Sequence, residues 1–241
     1  MKVAVIGASG YVGAELIALL CQHDKISLEY LLVSEQSSSS GKTFADLYPR
    51  WQGICAEPLI SFSQHWFDHN AHKLDAVFLA TPHEYSHLWA AKFVAAGIKV
   101  FDLSGAYRLK KSQDYPLYYD FEHEFFEQLS SAVYGLAEWQ AEEIATAKLV
   151  AVPGCYPTAS LLSLKPITEN KLQKDQGLIV VNGVSGVSGA GRKASMTSSF
   201  NEVSLMPYNI LGHRHQPEIS QECGQQVIFN PHLAPYKRGL L

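Results

Sequence analysis

The 241-residue sequence predicts an α/β protein, with a doubly wound parallel sheet over residues 1–152 and a second, α+β domain over 153–241. Three observations predict this. Short apolar runs alternate with helix-period stretches through the first 150 residues, a glycine-rich turn separates the first strand from the first helix, and the pattern changes to Gly-rich loops after Pro153. Strand–helix alternation of this kind places helices on both faces of a parallel sheet.

The elements follow in order. Residues 2–8 form a short apolar run and read as a buried strand. Residues 11–22 read as a helix with Val12, Leu16, Leu19 and Leu20 along one stripe. Residues 27–34 are a second strand, followed by a less regular stretch containing Trp51 and Trp66. A strand is expected over 75–80, then a helix over 86–96 stopped by Gly97, then a strand over 99–104. Segments 133–136 and 148–152 are shorter strand candidates, and 178–184 is a strand of the second domain. The sequence has no internal repeat, and its low-complexity patch is the serine run 37–40.

Composition narrows the class. Hydrophobic residues make up 47% of the chain and charged residues 17%, enough apolar material for a large core and too much for wholesale disorder. Lys plus Arg is 19 against 23 Asp plus Glu, a net charge of -4 that argues against a nucleic-acid partner. Cys21, Cys55, Cys155 and Cys223 are far apart and form no CxxC pair, which fits a reducing compartment rather than a disulfide scaffold or zinc ribbon. No apolar run approaches the roughly 18 to 20 residues of a membrane span. The N-terminus, with one Lys before a short apolar run, does not read as a signal peptide. A soluble, cytoplasmic protein without a membrane partner is the expectation.

The run Gly7-Ala8-Ser9-Gly10-Tyr11-Val12-Gly13 lies between the first strand and the first helix. A tight glycine turn lets backbone amides approach a pyrophosphate, and a helix N-terminus favours its negative charge, as in Rossmann-like dinucleotide sites. The candidate cofactor contacts are Gly7, Ser9, Gly10, Tyr11, Val12 and Gly13. Glu35, at the end of the second strand, is placed to hold the ribose hydroxyl of NAD. Ser34, Ser37 and Lys42 around it offer hydroxyls and an ammonium to the 2'-phosphate of NADP. The residues alone leave both dinucleotides open.

Pro153-Gly154-Cys155-Tyr156-Pro157-Thr158 follows a strand and leads into an apolar stretch. Pro157 suits the first turn of a helix, which puts Cys155 at a helix N-terminus where the dipole favours a thiolate. Cys21, Cys55 and Cys223 read as small buried hydrophobes.

The segment Gly212-His213-Arg214-His215-Gln216-Pro217-Glu218 supplies acid–base groups, and a thiolate nucleophile needs one. Pro217 can start a helix, and Glu218, three residues after His215, is in reach to orient its imidazole. The competing readings are a structural histidine and a metal site with His213, His215 and His232, the latter disfavoured because no supporting Cys or carboxylate spacing accompanies it. The loop 185–193, with Ser188, Gly189 and then Arg192 and Lys193, can form an anion nest with a bidentate guanidinium beside it. Arg108, just after a strand end, stands where parallel sheets present ligands.

Taken together, GASGYVGAEL at 7–16, DLSGAYRL at 102–109, VPGCYPTAS at 152–160, SGVSGAGRKA at 185–194 and HRHQPEI at 213–219 resemble the N-acetyl-gamma-glutamyl-phosphate reductases, the NADPH-dependent family of arginine biosynthesis. The resemblance covers essentially the whole chain; the GCYPT and HRHxPE motifs are its specific part. It implies NADP as cofactor, Cys155 as the catalytic thiol, His215 as the acid–base group and Glu218 as its orienting carboxylate. It further implies N-acetyl-gamma-glutamyl phosphate as the small-molecule substrate, with Arg108, Arg192 and Arg214 as anchors, and a homo-oligomer. Ser188 and Gly189 are expected to contribute to the cofactor side. The second domain is expected to be catalytic and dimerising. Family members continue past the position of Leu241, so that domain is expected to be incomplete in this sequence. Three alternatives are an aspartate-semialdehyde-dehydrogenase-like reductase, a non-catalytic NADP-binding regulator, and a Cys–His hydrolase that would leave the first glycine loop unexplained.

Overall fold

The computed structural model describes residues 1–173, 177–196, 199 and 201–237. The elements run β1 (Lys2–Ile6), α1 (Tyr11–Leu20), β2 (Ser27–Ser34), α2 (Phe44–Leu47), β3 (Leu59–Phe62), α3 (Gln64–Asn70), β4 (Ala76–Leu79), α4 (His83–Ala95) and β5 (Lys99–Asp102). They continue as α5 (Tyr115–Tyr119), α6 (Phe126–Ser131), β6 (Val133–Tyr134), α7 (Ala137–Thr146), β7 (Leu149–Ala151), α8 (Cys155–Glu169), β8 (Ile179–Gly186), β9 (Met206–Pro207), α9 (His215–Cys223) and β10 (Val227–Ala234).

Two compact units emerge. The first comprises Met1–Lys110 and His123–Val152; the second comprises Lys111–Glu122 and Pro153–Leu241. Nothing in the local sequence announces that the short excursion 111–122 groups with the second unit.

The first unit is built on a seven-stranded sheet in the order β3-β2-β1-β4-β5-β7-β6, parallel throughout. Strand order reverses on either side of β1, and ligands of doubly wound sheets bind at the carboxyl ends of the strands at such a switch point. Val3, Ala4, Val5 and Ile6 are buried, as expected of a strand covered on both faces.

Helix α1 corrects one expectation. Val12 is 57% exposed and Leu19 68%, so these two of the predicted stripe face outward, while Leu20 is buried and Leu16 half-buried against the core. The buried face is Gly13, Ala14, Ile17, Ala18 and Leu20. Small residues win there because the helix must approach β1 closely: a Cβ at Gly13 would sit 2.4 Å from the carbonyl oxygen of Gly7. Cys21 is also corrected, being half-buried at the end of α1, whereas Cys55 and Cys223 are buried. Burial and the neighbouring Cys55 thiol push the Cys21 thiol up to about 12.

The irregular stretch holding both tryptophans contains an unpredicted edge strand, β3, whose Phe62 packs edge-on against Trp66 and Trp89. The serine run is not a loose loop. The amide of Ser40 donates to Ser37, that of Gly41 to Leu59, and Ser39 is buried.

In the second unit β10 lies between β8, parallel, and β9, antiparallel. Helices α8 and α9 pack against each other, and Phe229 of β10 is wholly buried. Among the described residues no helix is long and apolar enough to cross a membrane.

Candidate active site

The glycine loop follows directly from the first-unit backbone. Gly7 has φ +92°, a conformation that L side chains rarely adopt, and a Cβ there would lie 2.1 Å from the carbonyl oxygen of Ala80. The amides of Gly7 and Ala8 both donate to Leu32, which ties the loop to β2. Gly10 is the N-cap of α1 and has no side chain with which to close the first turn. The first-turn amides of Tyr11, Val12 and Gly13 therefore take no bond from an N-cap side chain, which suits an anion at the helix end. Tyr11 and Val12 are exposed. Ser34, the last residue of β2, and Lys42 are exposed on either side of the hydrogen-bonded serine turn. These residues fit a dinucleotide: a tight glycine turn where a Cβ would meet backbone, an uncapped positive helix end, and a hydroxyl and an ammonium at the second strand.

Arg108 is buried in the same unit. Its Nε donates to the carbonyl of Val152 at 2.8 Å and an Nη donates to Leu103 at 2.8 Å. Two of its donors thus fasten strand ends. Beside it Asp102 is wholly buried; it accepts from the Ser104 amide and hydroxyl, and burial pushes its carboxyl up against the pull of those bonds and of Arg108.

The second unit holds the thiol. Cys155 is the first residue of α8 and is exposed. Gly154 is the N-cap, again without a side chain, and Pro157 in the first turn has no N–H to leave unsatisfied. The cysteine sulfur therefore stands at the positive end of a fifteen-residue helix.

The HRHQPE segment forms the start of α9 and reaches both neighbours of Cys155. Glu218 is wholly buried, and its Oε1 accepts the Gly154 amide at 2.9 Å. On the other side, the Tyr156 ring lies 5.9 Å from the His215 ring, edge to face. One oxygen of Glu218 is thus bonded to the turn that carries the thiol. His215 is buried, and its amide donates to Nδ1 of His213 at 3.1 Å. Burial, with Arg214 adjacent, pulls His213 down to about 4, so it stays neutral and accepts that bond. Among the described residues no group of three or more His, Cys, Asp or Glu side chains is arranged to hold a metal.

Two tyrosines complete the setting without having been singled out from sequence. Tyr156 donates to the carbonyl of His232 at 2.9 Å, and its ring occupies the space that a Cβ on Gly183 would need. Tyr208 donates to the Tyr156 hydroxyl at 3.4 Å and packs edge-on against His213. Burial raises both phenols, and the nearby Cys155 raises them further. The tyrosine within the GCYP motif could have signalled this, since a buried phenol needs a partner.

The remaining candidates are more open. Ser188 and Gly189 lie in a 3-10 turn, Val187–Ala190, just after β8. Gly189 comes so close to Ser185 that a Cβ would sit 2.6 Å from its hydroxyl. Arg192 is exposed beyond Gly191, which has φ +87°. Arg214 is exposed, with its guanidinium 5.9 Å above the Tyr119 ring.

Two family models match the chain. Residues 2–147 match the family described as semialdehyde dehydrogenase, NAD binding domain, and residues 155–241 match semialdehyde dehydrogenase, dimerisation domain. An N-acetyl-gamma-glutamyl-phosphate reductase from Photorhabdus laumondii is 54% identical over 241 residues, covering all of this chain and 72% of the relative. The enzyme of that name from Yersinia pestis is 52% identical over 244 residues, with the same coverage. Among solved structures, aspartate semialdehyde dehydrogenase II from Vibrio cholerae superposes with a TM-score of 0.65 at 20% identity, over 97% of this chain and 70% of that one. The Candida albicans aspartate semialdehyde dehydrogenase with NADP gives 0.63 at 17%, over 99% and 69%. At such identities these structures speak for the fold alone.

Proposed function

The chain belongs to the N-acetyl-gamma-glutamyl-phosphate reductases, and we propose that it reduces N-acetyl-gamma-glutamyl phosphate to N-acetylglutamate semialdehyde through a thioester on Cys155. The observation that carries the mechanism is the pair of contacts from α9 to the two neighbours of the thiol, Glu218 to Gly154 and His215 to Tyr156.

Cys155 attacks the acyl phosphate carbon, the C–O bond to phosphate breaks, and a thioester remains on the sulfur. The helix end stabilises the thiolate before attack, and amides at the turn are placed to hold the oxyanion that develops on the acyl oxygen. NADPH, held by the residues named below, would supply the hydride that reduces the thioester carbon. His215 takes the thiol proton at the start and returns a proton as the hemithioacetal collapses to aldehyde and free thiol. Glu218 acts through Gly154 and keeps the nucleophile turn in one conformation. Arg214 and Arg192 are the anchors for phosphate and substrate carboxylate. Arg108, with two donors fixed on carbonyls, adds positive charge at the strand ends.

On the cofactor side, the amides at Tyr11, Val12 and Gly13 hold the pyrophosphate, Gly7, Ser9 and Gly10 shape the turn, and Ser34 and Lys42 hold the 2'-phosphate of NADP. The family resemblance assigns Ser188 and Gly189 to the cofactor as well. The match to a dimerisation domain supports a homo-oligomer, and a biosynthetic reduction with free thiols supports a cytoplasmic setting.

The reverse reaction tests the proposal. With N-acetylglutamate semialdehyde, phosphate and NADP supplied, absorbance of the reduced nicotinamide is expected to rise only when phosphate is present. Turnover of aspartate semialdehyde in place of the acetylated substrate would overturn the substrate assignment, and tighter binding of NAD than of NADP would overturn the cofactor assignment.

A further inference from the structure

The glycine loop is braced from outside its own strand–turn–helix unit. Tyr48 stands at the end of α2, between Leu47 and Pro49, and is 9% exposed. Its hydroxyl donates to the carbonyl of Ser9 at 2.8 Å, across 39 residues of sequence. The ring packs against Phe44, 5.6 Å between centroids, inside the core cluster under α1. Two residues later Arg50 pairs with Glu15 of α1. The segment 44–51 thus grips both the loop and the helix that follows it.

The Ser9 carbonyl belongs to the same peptide plane as the Gly10 amide, and that amide donates to Gly7 at 3.0 Å. Tyr48 therefore holds one end of a peptide whose other end is held within the loop. The need for a second hold comes from Gly10. A glycine offers no Cβ to restrict rotation of the peptide before it, so the plane can turn over at little steric cost. A turned plane would point the Ser9 carbonyl, an acceptor, toward the region where the α1 amides present donors, and an anion would meet repulsion there. No side chain caps α1, so the backbone alone supplies the anion site and its accuracy depends on that one peptide.

We propose that Tyr48 is a positioning residue for the dinucleotide: by fixing the Ser9–Gly10 peptide it keeps the amides at the start of α1 aimed at the pyrophosphate. This rests on the cofactor reading above and adds to it a residue outside every motif identified in the sequence. Tyr48 touches neither substrate nor cofactor in this role and acts only through the loop.

The test is Tyr48→Phe, which removes the hydroxyl and keeps the ring against Phe44. NADPH affinity is measured by quenching of tryptophan fluorescence, alongside KM for NADPH, kcat and the thermal midpoint. The expected result is a dissociation constant and KM raised about tenfold, the size of one lost hydrogen bond, with kcat at saturating NADPH within about twofold of wild type. A second variant, Phe44→Leu, loosens the same cluster but keeps the hydroxyl bond; it is expected to lower the thermal midpoint and leave NADPH affinity near wild type. Wild-type affinity in Tyr48→Phe overturns the proposal, as does an equal loss of affinity in Phe44→Leu, which would reduce Tyr48 to packing. A wild-type protein that binds no NADPH overturns the cofactor reading and the proposal with it, so the two failures are told apart by the wild-type measurement.

Discussion

The two units solve the same physical problem, a negative charge at a helix N-terminus, in opposite ways. In the first, the loop before α1 is contiguous in sequence: Gly7 and Gly13 bring backbone segments close together, and the amides at the start of α1 are the groups of the proposed cofactor site. In the second, the turn before α8 is set by residues far away. Glu218 reaches Gly154 across 64 positions and Tyr156 reaches His232 across 76. Binding a cofactor's phosphates requires donors and space, which a short motif encodes. Fixing a reactive sulfur requires side chains on several sides, and a single segment cannot supply them.

The sharpest way to separate the two halves is Cys155→Ser. Turnover is expected to fall on the order of 10⁴-fold or more, as for removal of other enzymatic nucleophiles, while NADPH affinity measured by fluorescence stays at the wild-type value. A matching loss of NADPH affinity would show that the thiol turn and the cofactor loop do not act separately.

Gly7→Ala attacks the other half. The positive φ and the 2.1 Å approach to Ala80 leave no room for a methyl group, and the backbone must shift. A destabilisation of roughly 3 kcal/mol is expected from strain and clash together, read as a lowered thermal midpoint with loss of NADPH binding. A variant that melts and binds like wild type would mean that the loop is less tightly set than its geometry states.

Glu218→Ala tests the long-range hold on the thiol turn. It leaves the buried Gly154 amide without its carboxylate, a cost of about 1–3 kcal/mol, and kcat is expected to fall with little change in KM for NADPH. Glu218→Gln keeps an acceptor oxygen at the same place and is expected to recover most of the stability. If the Gln variant is as damaged as the Ala variant, the negative charge rather than the hydrogen bond is what matters.

The smallest effect concerns acid, where both halves behave alike. Burial, aided by the neighbouring His87, pulls His123 in the first unit down from 6.5 to about 4, and burial with Arg214 does the same to His213 in the second. Between those values the unfolded chain binds protons that the folded chain refuses, so each histidine's contribution to stability is complete above pH 6.5 and is lost as pH falls toward 4. Asp102, whose buried carboxyl is pushed up, works in the opposite direction. Thermal melts of wild type and His123→Gln from pH 8 to 4 isolate the histidine: the wild-type midpoint should fall more steeply below pH 6.5 than that of the variant. Parallel curves would contradict the assignment.

The sequence by itself determined the parallel α/β architecture of the first unit, because buried strands and glycine turns impose local patterns that no other arrangement satisfies. Ser27–Ser34 appears with the predicted bounds, and Cys155 begins a helix as the flanking Gly154 and Pro157 require. The five motifs were also enough to recognise the family. Tertiary structure alone decided the rest. The inward face of α1 follows from how near Gly13 comes to Gly7, which turns Val12 and Leu19 outward and leaves Leu20 inside. Edge strand β3 and central strand β10 went unpredicted, and their place comes from the strands they pair with. Glu218 reads in sequence as a carboxylate near an imidazole three residues away; its bond to Gly154 arises only from the packing of α9 against α8. A hydrogen bond between residues 64 apart leaves no trace in local spacing, because which donor a buried carboxylate meets is fixed only when the two helices pack.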